Sequence, residues 1–290
     1  MNATATATEQ GGPPPPAATA PATAPSPGEE FARAFAEAPD RAEVHFGFTV
    51  TDAFQPGKER HRLTARHLFR KQRAGSGAVR TWFETRPPGE APTREGRLRE
   101  DSFLFAPADH HVAPITAWVR VPDGLAGDPA ALAAFVDRRL MVRLGTAENR
   151  ALTHDVLRHP DVASLPYRGS YAAGLLAAFD EIEQTGGTGH AVMVNPRDYY
   201  GQLVGSGSLL ADLAREGVMV CRHRQVAPGC ALVGDFAMAA VLLDAEHSVI
   251  KVAEPPPGTF DEPGGTAVCA VVHESVAVQL PTHFFHVVPG

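Results

Sequence analysis

The chain is poor in cysteine and lysine, and it has no long apolar run. Its three cysteines, Cys221, Cys230 and Cys269, are odd in number and lack CxxC spacing. Neither a disulfide framework nor a four-thiolate zinc site fits them. No uninterrupted apolar stretch reaches the roughly 18 residues that a transmembrane helix needs. The N-terminus lacks the basic and apolar regions of a secretory signal, so a soluble cytosolic protein without a membrane partner is expected. Positive charge is not in excess: 26 Lys and Arg stand against 33 Asp and Glu, a formal net charge of −7. That balance argues against a protein built to hold a phosphate backbone. Lys58, Lys71 and Lys251 are the only lysines, and with abundant Ala, Gly and Pro this points to a GC-rich bacterial genome.

Catalytic signatures are equally scarce. HExxH, GxSxG and Walker A sequences are absent. Gly187-Thr188-Gly189 precedes a strand instead of following one, the wrong context for a phosphate loop. His110 and His111 are adjacent, so on a strand they point to opposite faces and cannot share a metal. His45, His61, His67, His154, His159 and His223 are scattered, and His283 and His286 flank an apolar strand. Cys221 with His223 is the nearest thing to a nucleophile and base, but same-strand geometry gives it little support. No catalytic set, metal site or cofactor site emerges.

What is present is a 290-residue chain, 44% hydrophobic and 20% charged. That is enough for a sizeable core in one large domain or two smaller ones. Residues 1–28 are different material: 23 of them are Ala, Pro, Thr or Gly, a composition expected to be extended, as a free tail or an arm ordered by a neighbouring subunit. Residues 29–38 form an amphipathic helix ending before Pro39, with Phe31 and Phe35 on one face. That face is either core or a docking surface for a partner. Strands are expected at 44–50, at 66–72 and 79–86 as a hairpin around Ala74 to Gly77, at 103–105, and at 115–121. The basic run Lys58, Arg60, Arg62, Arg66, Arg70, Lys71 and Arg73 lacks interleaved aromatics, so it reads as a solvated or intersubunit hairpin and not as a nucleic-acid surface.

A long helix is expected over 128–144, with Asp128 as N-cap, Pro129 at its first position and Gly145 as its stop. Helices at 171–184, 197–203 and 209–215 follow, with strands at 190–195, 218–221, 231–233, 238–243, 249–252, 267–278 and 284–288. The order is α+β with an antiparallel ending and no clean βαβ repeat.

From His190 onward one ordered series stands out. It comprises Asn195 with Tyr199 and Tyr200; Gly217 and Val218; Pro228; Gly234-Asp235-Phe236; Glu274; and Pro281. This series resembles the C-terminal half of encapsulin shell proteins over about 100 residues, and the rest of the chain matches by order of elements. The resemblance implies an α+β chain with the tailed-phage major capsid (Hong Kong ninety-seven-like) fold. It maps a disordered tail to 1–28, an N-terminal helix and arm to 29–51, an E-loop to 52–98 and a peripheral domain with spine helix to 99–149. An axial domain at 150–240 and C-terminal strands at 241–290 complete it. It further implies a non-enzymatic homo-oligomer closing into an icosahedral shell around a cargo protein, with Phe31 and Phe35 facing cargo. Val204, Gly205, Ser206, Gly207 and Ser208 fall at the pore loop, where small uncharged residues make a permissive opening. The Ala/Pro-rich tail points to a divergent branch found beside natural-product biosynthesis genes, with a biosynthetic enzyme as cargo. A phage or prophage major capsid protein is the alternative within that fold, and a soluble α+β enzyme is the alternative outside it.

Overall fold

A computed structural model describes residues 25–46, 64–75, 78–85, 104–205, 208–261 and 264–290. Two five-stranded sheets share one body, and a separate two-stranded ribbon leaves it.

The first sheet is built on β10 (Ala240–Val252) and β11 (Ala267–Val278), a long antiparallel pair. Strand β10 buries Val, Leu and Ile and β11 buries Val and Ala on the sheet, and the β-branched residues among them suit a pleated, covered surface. Between Asp244 and Ser248 the β10–β11 register shifts, and Glu246 there takes φ 52. This bulge divides the outer edge of β10 between two short partners. Strand β1 (Glu43–His45) pairs antiparallel with Val249 to Lys251, and β2 (Arg70–Arg73) pairs parallel with Val241 to Asp244. Strand β5 (Ala113–Arg120) covers the other edge, along β11.

The expected hairpin of 66–72 with 79–86 does not form. Strand β2 instead satisfies the open edge of β10, and β3 (Ala78–Thr85) pairs antiparallel with β4 (Leu104–His111). The vacant backbone groups of a long, buried β10 outcompete a local turn, because unpaired buried amides are costly.

Helix α1 (Pro27–Glu37) and the long helix α2 pack over the first sheet. Helix α2 occupies residues 129–157, as Pro129–Phe135, a π-helical turn Val136–Leu140, and Met141–Leu157. Asp128 caps it as expected, accepting from the Ala131 N–H at 3.0 Å. Gly145 does not stop it. The residue is buried in a segment that packs on β5 and β11, and the apolar spacing continues through Leu152 and Val156. Burial of that continuing face outweighs the glycine's cost of about 1 kcal/mol in a helix interior. The helix therefore runs through residues 149 and 150, where a boundary between lobes was expected.

The second sheet runs in the order β6 (Ala163–Tyr167), β12 (Phe284–Pro289), β9 (Ala231–Gly234), β7 (Ala191–Val194) and β8 (Met219–Arg222). Helices α3 (Tyr171–Gln184), α4 (196–204) and α5 (Leu209–Arg215) bury Leu175, Ile182, Leu203 and Leu213 with Val192 and Val233 from the sheet. The two expected strands at 238–243 and 249–252 are one strand, β10, entered from the single turn α6 (Phe236–Ala239).

The residues of the C-terminal series hold this second unit together. Asn195 Oδ1 accepts from the Arg197 N–H at 2.9 Å to cap α4, while its Nδ2 donates to the Val226 carbonyl at 2.7 Å. Asp235 accepts from the Met238 and Thr188 N–H groups at 3.2 and 3.1 Å. A Cβ at Gly234 would stand 2.2 Å from the Phe284 ring, so only glycine lets that ring cross the strand.

Candidate assembly surface

The ribbon β3–β4 has two unlike faces because strand side chains alternate. Val79, Thr81, Phe83 and His110 face inward and are partly or fully buried. Arg80, Trp82 and Glu84 face outward, opposite Asp109, Pro107 and Phe105. Trp82 is 57% exposed and Phe105 59%. The two lie diagonally across the ribbon, beside a doubly hydrogen-bonded ion pair of Arg80 and Asp109 at 2.8 and 3.0 Å. Among the described residues neither strand pairs with a third. An exposed aromatic pair on one face of this ribbon makes it a candidate contact surface. Sequence reading placed strands here without identifying this face; the alternation Val79-Arg80-Thr81-Trp82-Phe83 is the signal that separates Trp82 from the buried set. Residues 52–63 and 86–98, most of the expected E-loop, lie outside the described residues.

Phe31 and Phe35 are not on a surface. They are 0% and 3% exposed, with ring centroids 5.9 Å apart, and they pack with Leu132, Val136 and Leu140 of α2. The amphipathic face of α1 is directed at α2 and the sheet, so the expected cargo-facing role is corrected to a core role.

At the expected pore loop, Val204 is 47% exposed, Gly205 ends α4 and Ser208 precedes α5. Ser206 and Gly207 lie outside the described residues. Tyr200, four residues before Val204 and also exposed, accepts a hydrogen bond from Arg222 Nη1 at 2.6 Å. The Arg222 guanidinium lies 5.0 Å from the Tyr199 ring centroid and 5.8 Å from that of Tyr200. The guanidinium is thus held on the two tyrosines of the turn that precedes Val204.

Arg66, read from sequence as part of a solvated basic run, is buried. It bonds Glu148 of α2 at 3.0 Å and also bonds Asp244 of β10 and Glu274 of β11. Three carboxylates face one guanidinium, with Lys71 nearby. Burial pushes Glu148 up from an ordinary 4.5 to about 7, against the pull of Arg66.

The residues considered for catalysis are poorly placed for it. Cys221 is fully buried, and burial pushes the Cys230 and Cys269 thiols up, away from the reactive thiolate. His110 and His111 both border one cleft with His154 and His159. Among the described residues no group of three or more His, Cys, Asp or Glu side chains is arranged to hold a metal ion.

No protein-family model matches the chain, and no curated protein matches it in sequence. Solved structures do match in shape. The virus-like particle from Pyrococcus furiosus superimposes with a TM-score of 0.56 at 11% identity, covering 76% of this chain and 90% of that one. A protein of Mycobacterium phage Bobi gives 0.55 at 12% identity, with 85% and 96% covered. The capsid of the native GTA particle gives 0.52 at 12% identity, with 82% and 93% covered. The ribbon, the long helix across an antiparallel sheet and the second helix-covered sheet thus compose, as expected, the tailed-phage major capsid (Hong Kong ninety-seven-like) fold.

Proposed function

We propose that this chain is a non-enzymatic shell subunit that assembles with copies of itself into a closed icosahedral particle, an encapsulin-type nanocompartment in the bacterial cytoplasm. In this reading the ribbon is the E-loop, α2 the spine helix, the first sheet the peripheral domain and the second sheet with α3 to α5 the axial domain. The observation that carries it is Trp82 and Phe105, which stand exposed on one face of the ribbon among the described residues. Identical chains in closed symmetry can cover such surfaces for one another.

A cargo enzyme inside, as opposed to a genome, is favoured by the resemblance of the 190–290 series to encapsulins and by the acidic balance of −7. The Ala/Pro-rich tail favours a divergent branch with a biosynthetic enzyme as cargo. The second reading is a phage or prophage major capsid protein, favoured by the shape match to a phage protein and to the GTA capsid.

Size-exclusion chromatography with negative-stain microscopy of the purified protein tests the shell. Hollow particles in the void volume are expected, and a monomer near 30.8 kDa contradicts it. Gene neighbours separate the two readings: portal, protease and terminase genes mark a phage, an adjacent metabolic enzyme a nanocompartment.

A further inference from the structure

The junction between ribbon and body is a histidine seam. His110 and His111 end β4, while His154 lies in the last turn of α2 and His159 just beyond it. Together they border a cleft of about 360 Å³. Val112 alone separates β4 from β5, so the chain changes from ribbon to sheet at this point. The ribbon is seated by the Glu84 N–H, which donates to the Gln279 carbonyl at 2.8 Å. Phe83 of the ribbon meets the His159 ring edge-on, with centroids 5.9 Å apart.

Two of the four imidazoles are built into the seam as neutral groups. His159 Nδ1 accepts from the Asp161 N–H at 3.3 Å, which leaves the ring proton on Nε2. His110 Nε2 is shielded from solvent and has no hydrogen-bond partner among the described residues. Burial pushes both pKa values below the ordinary imidazole value. Asp109 partly offsets this for His110, and Asp161 for His159, while His110 lowers His159 further.

We propose that the seam is a pH-sensitive latch: neutral imidazoles keep the ribbon seated against the end of α2, and protonation of His110 and His159 releases it.

The surrounding charges cannot absorb that protonation. On the ribbon, Asp109 is engaged by Arg80 at 2.8 Å, and His111 is the neighbouring ring on the cleft wall. From α2 and its end come His154, Asp155 and Arg158, and from β11 the cleft receives Ser275 and two valines, which bring no charge; Asp161 acts on His159 from the turn beyond the cleft. One Asp155 oxygen is held by the Val276 N–H at 3.0 Å, and burial pushes that carboxyl's pKa up. In acid, the added charges on His110 and His159 would meet Arg158 across the cleft, while Asp109 is already paired with Arg80 and burial favours the neutral form of Asp155. The sign follows from linkage. A histidine with a depressed pKa binds fewer protons in the seated form, so seating is fully favoured above the ordinary imidazole value. It is lost as pH falls through that value toward the depressed one. The latch lies within one subunit and stands without the shell reading; its consequence, acid loosening of a particle, rests on that reading.

Hydrogen exchange on the full-length protein, corrected for intrinsic rates and read by mass spectrometry between about pH 7.5 and about pH 5, tests it. Peptides covering 78–85 and 104–112 should lose protection in acid by about tenfold per histidine depressed by one unit, with β10 and β11 peptides unchanged. His110→Gln with His159→Gln should flatten that response. If the double variant folds poorly, His110→Gln alone must shift the midpoint. Ribbon protection that is insensitive to pH, or an unaltered response in the variants, overturns the latch. Light scattering in parallel reads particle size, so absence of particles counts against the shell alone, and a pH-insensitive ribbon in intact particles counts against the latch alone.

Discussion

Arg66 Nη1 donates to Glu148 Oε1 at 3.0 Å with both side chains buried. The bond ties the segment after the N-terminal arm to the long helix, and the Ala65 N–H adds a second tie to Asn149 Oδ1 at 2.8 Å. Glu148, Asp244 and Glu274 outnumber the cations Arg66 and Lys71, so one carboxyl favours its protonated form.

Stability should therefore fall as pH rises across this cluster. Glu148 moves from an ordinary 4.5 to about 7 in the folded state, so the folded chain holds a proton between those values that the unfolded chain has lost. The contribution is present below the lower value and gone above the upper, on the order of 3 kcal/mol in all. Glu148→Gln, which can still accept from Arg66, should remove this slope in the melting temperature and stabilise the protein above neutral pH. Arg66→Met leaves Glu148, Asp244 and Glu274 without the buried cation they share and should cost about 3–5 kcal/mol. A Glu148→Gln protein with an unchanged pH slope would refute the assignment.

Gly28 makes a further long-range tie, between α1 and the π turn of α2. Its N–H donates to Asp137 Oδ1 at 2.8 Å, and Ser26 Oγ donates to Oδ2 at 2.6 Å. A Cβ at Gly28 would stand 2.3 Å from the Ala133 carbonyl oxygen and 2.7 Å from Asp137 Cγ. Gly28→Ala should force the helices apart at a cost of about 1–3 kcal/mol, although alanine is the better helix former. Thermal unfolding checks this, and an unchanged or raised melting temperature would count against the close approach.

How legible these features are from sequence depends on how local their causes are. Helix α3 and strand β11 are read residue for residue, because their own spacing and turn residues determine them. The pairing of β2 with β10 joins residues about 170 apart, such as Arg70 and Val241, and no local pattern announces it. Gly145 misleads because a stop signal is weighed against a face whose burial is decided elsewhere. Arg66 misleads for a related reason. Its carboxylate partners lie 82 to 208 positions away, so one-dimensional neighbours make it look like a member of a solvated basic run. Phe31 and Phe35 show the limit from the other side. Their shared helix face is plain in the sequence, but only the position of α2 decides that it is covered.

Phe31→Ala should accordingly act on stability. The ring is fully buried against Phe35 and α2, and truncation leaves a cavity costing about 3–5 kcal/mol. Denaturant unfolding should show a lower midpoint with little change in slope. A variant as stable as the parent would show that the ring is not part of the core.

Trp82 and Phe105 predict the opposite behaviour. Both are more than half exposed, so Trp82→Ser with Phe105→Ser removes little that the isolated subunit uses, and its melting temperature should change by no more than about 0.5 kcal/mol allows. In a shell each ring buries on the order of 150 Å² against a neighbour, and that loss is repeated at every equivalent contact. The double variant should therefore remain folded while the concentration needed for particle formation rises at least tenfold. Circular dichroism reads the first property, and light scattering across a dilution series reads the second. Particles forming at the same threshold as the parent would remove the ribbon's outer face from the assembly contact.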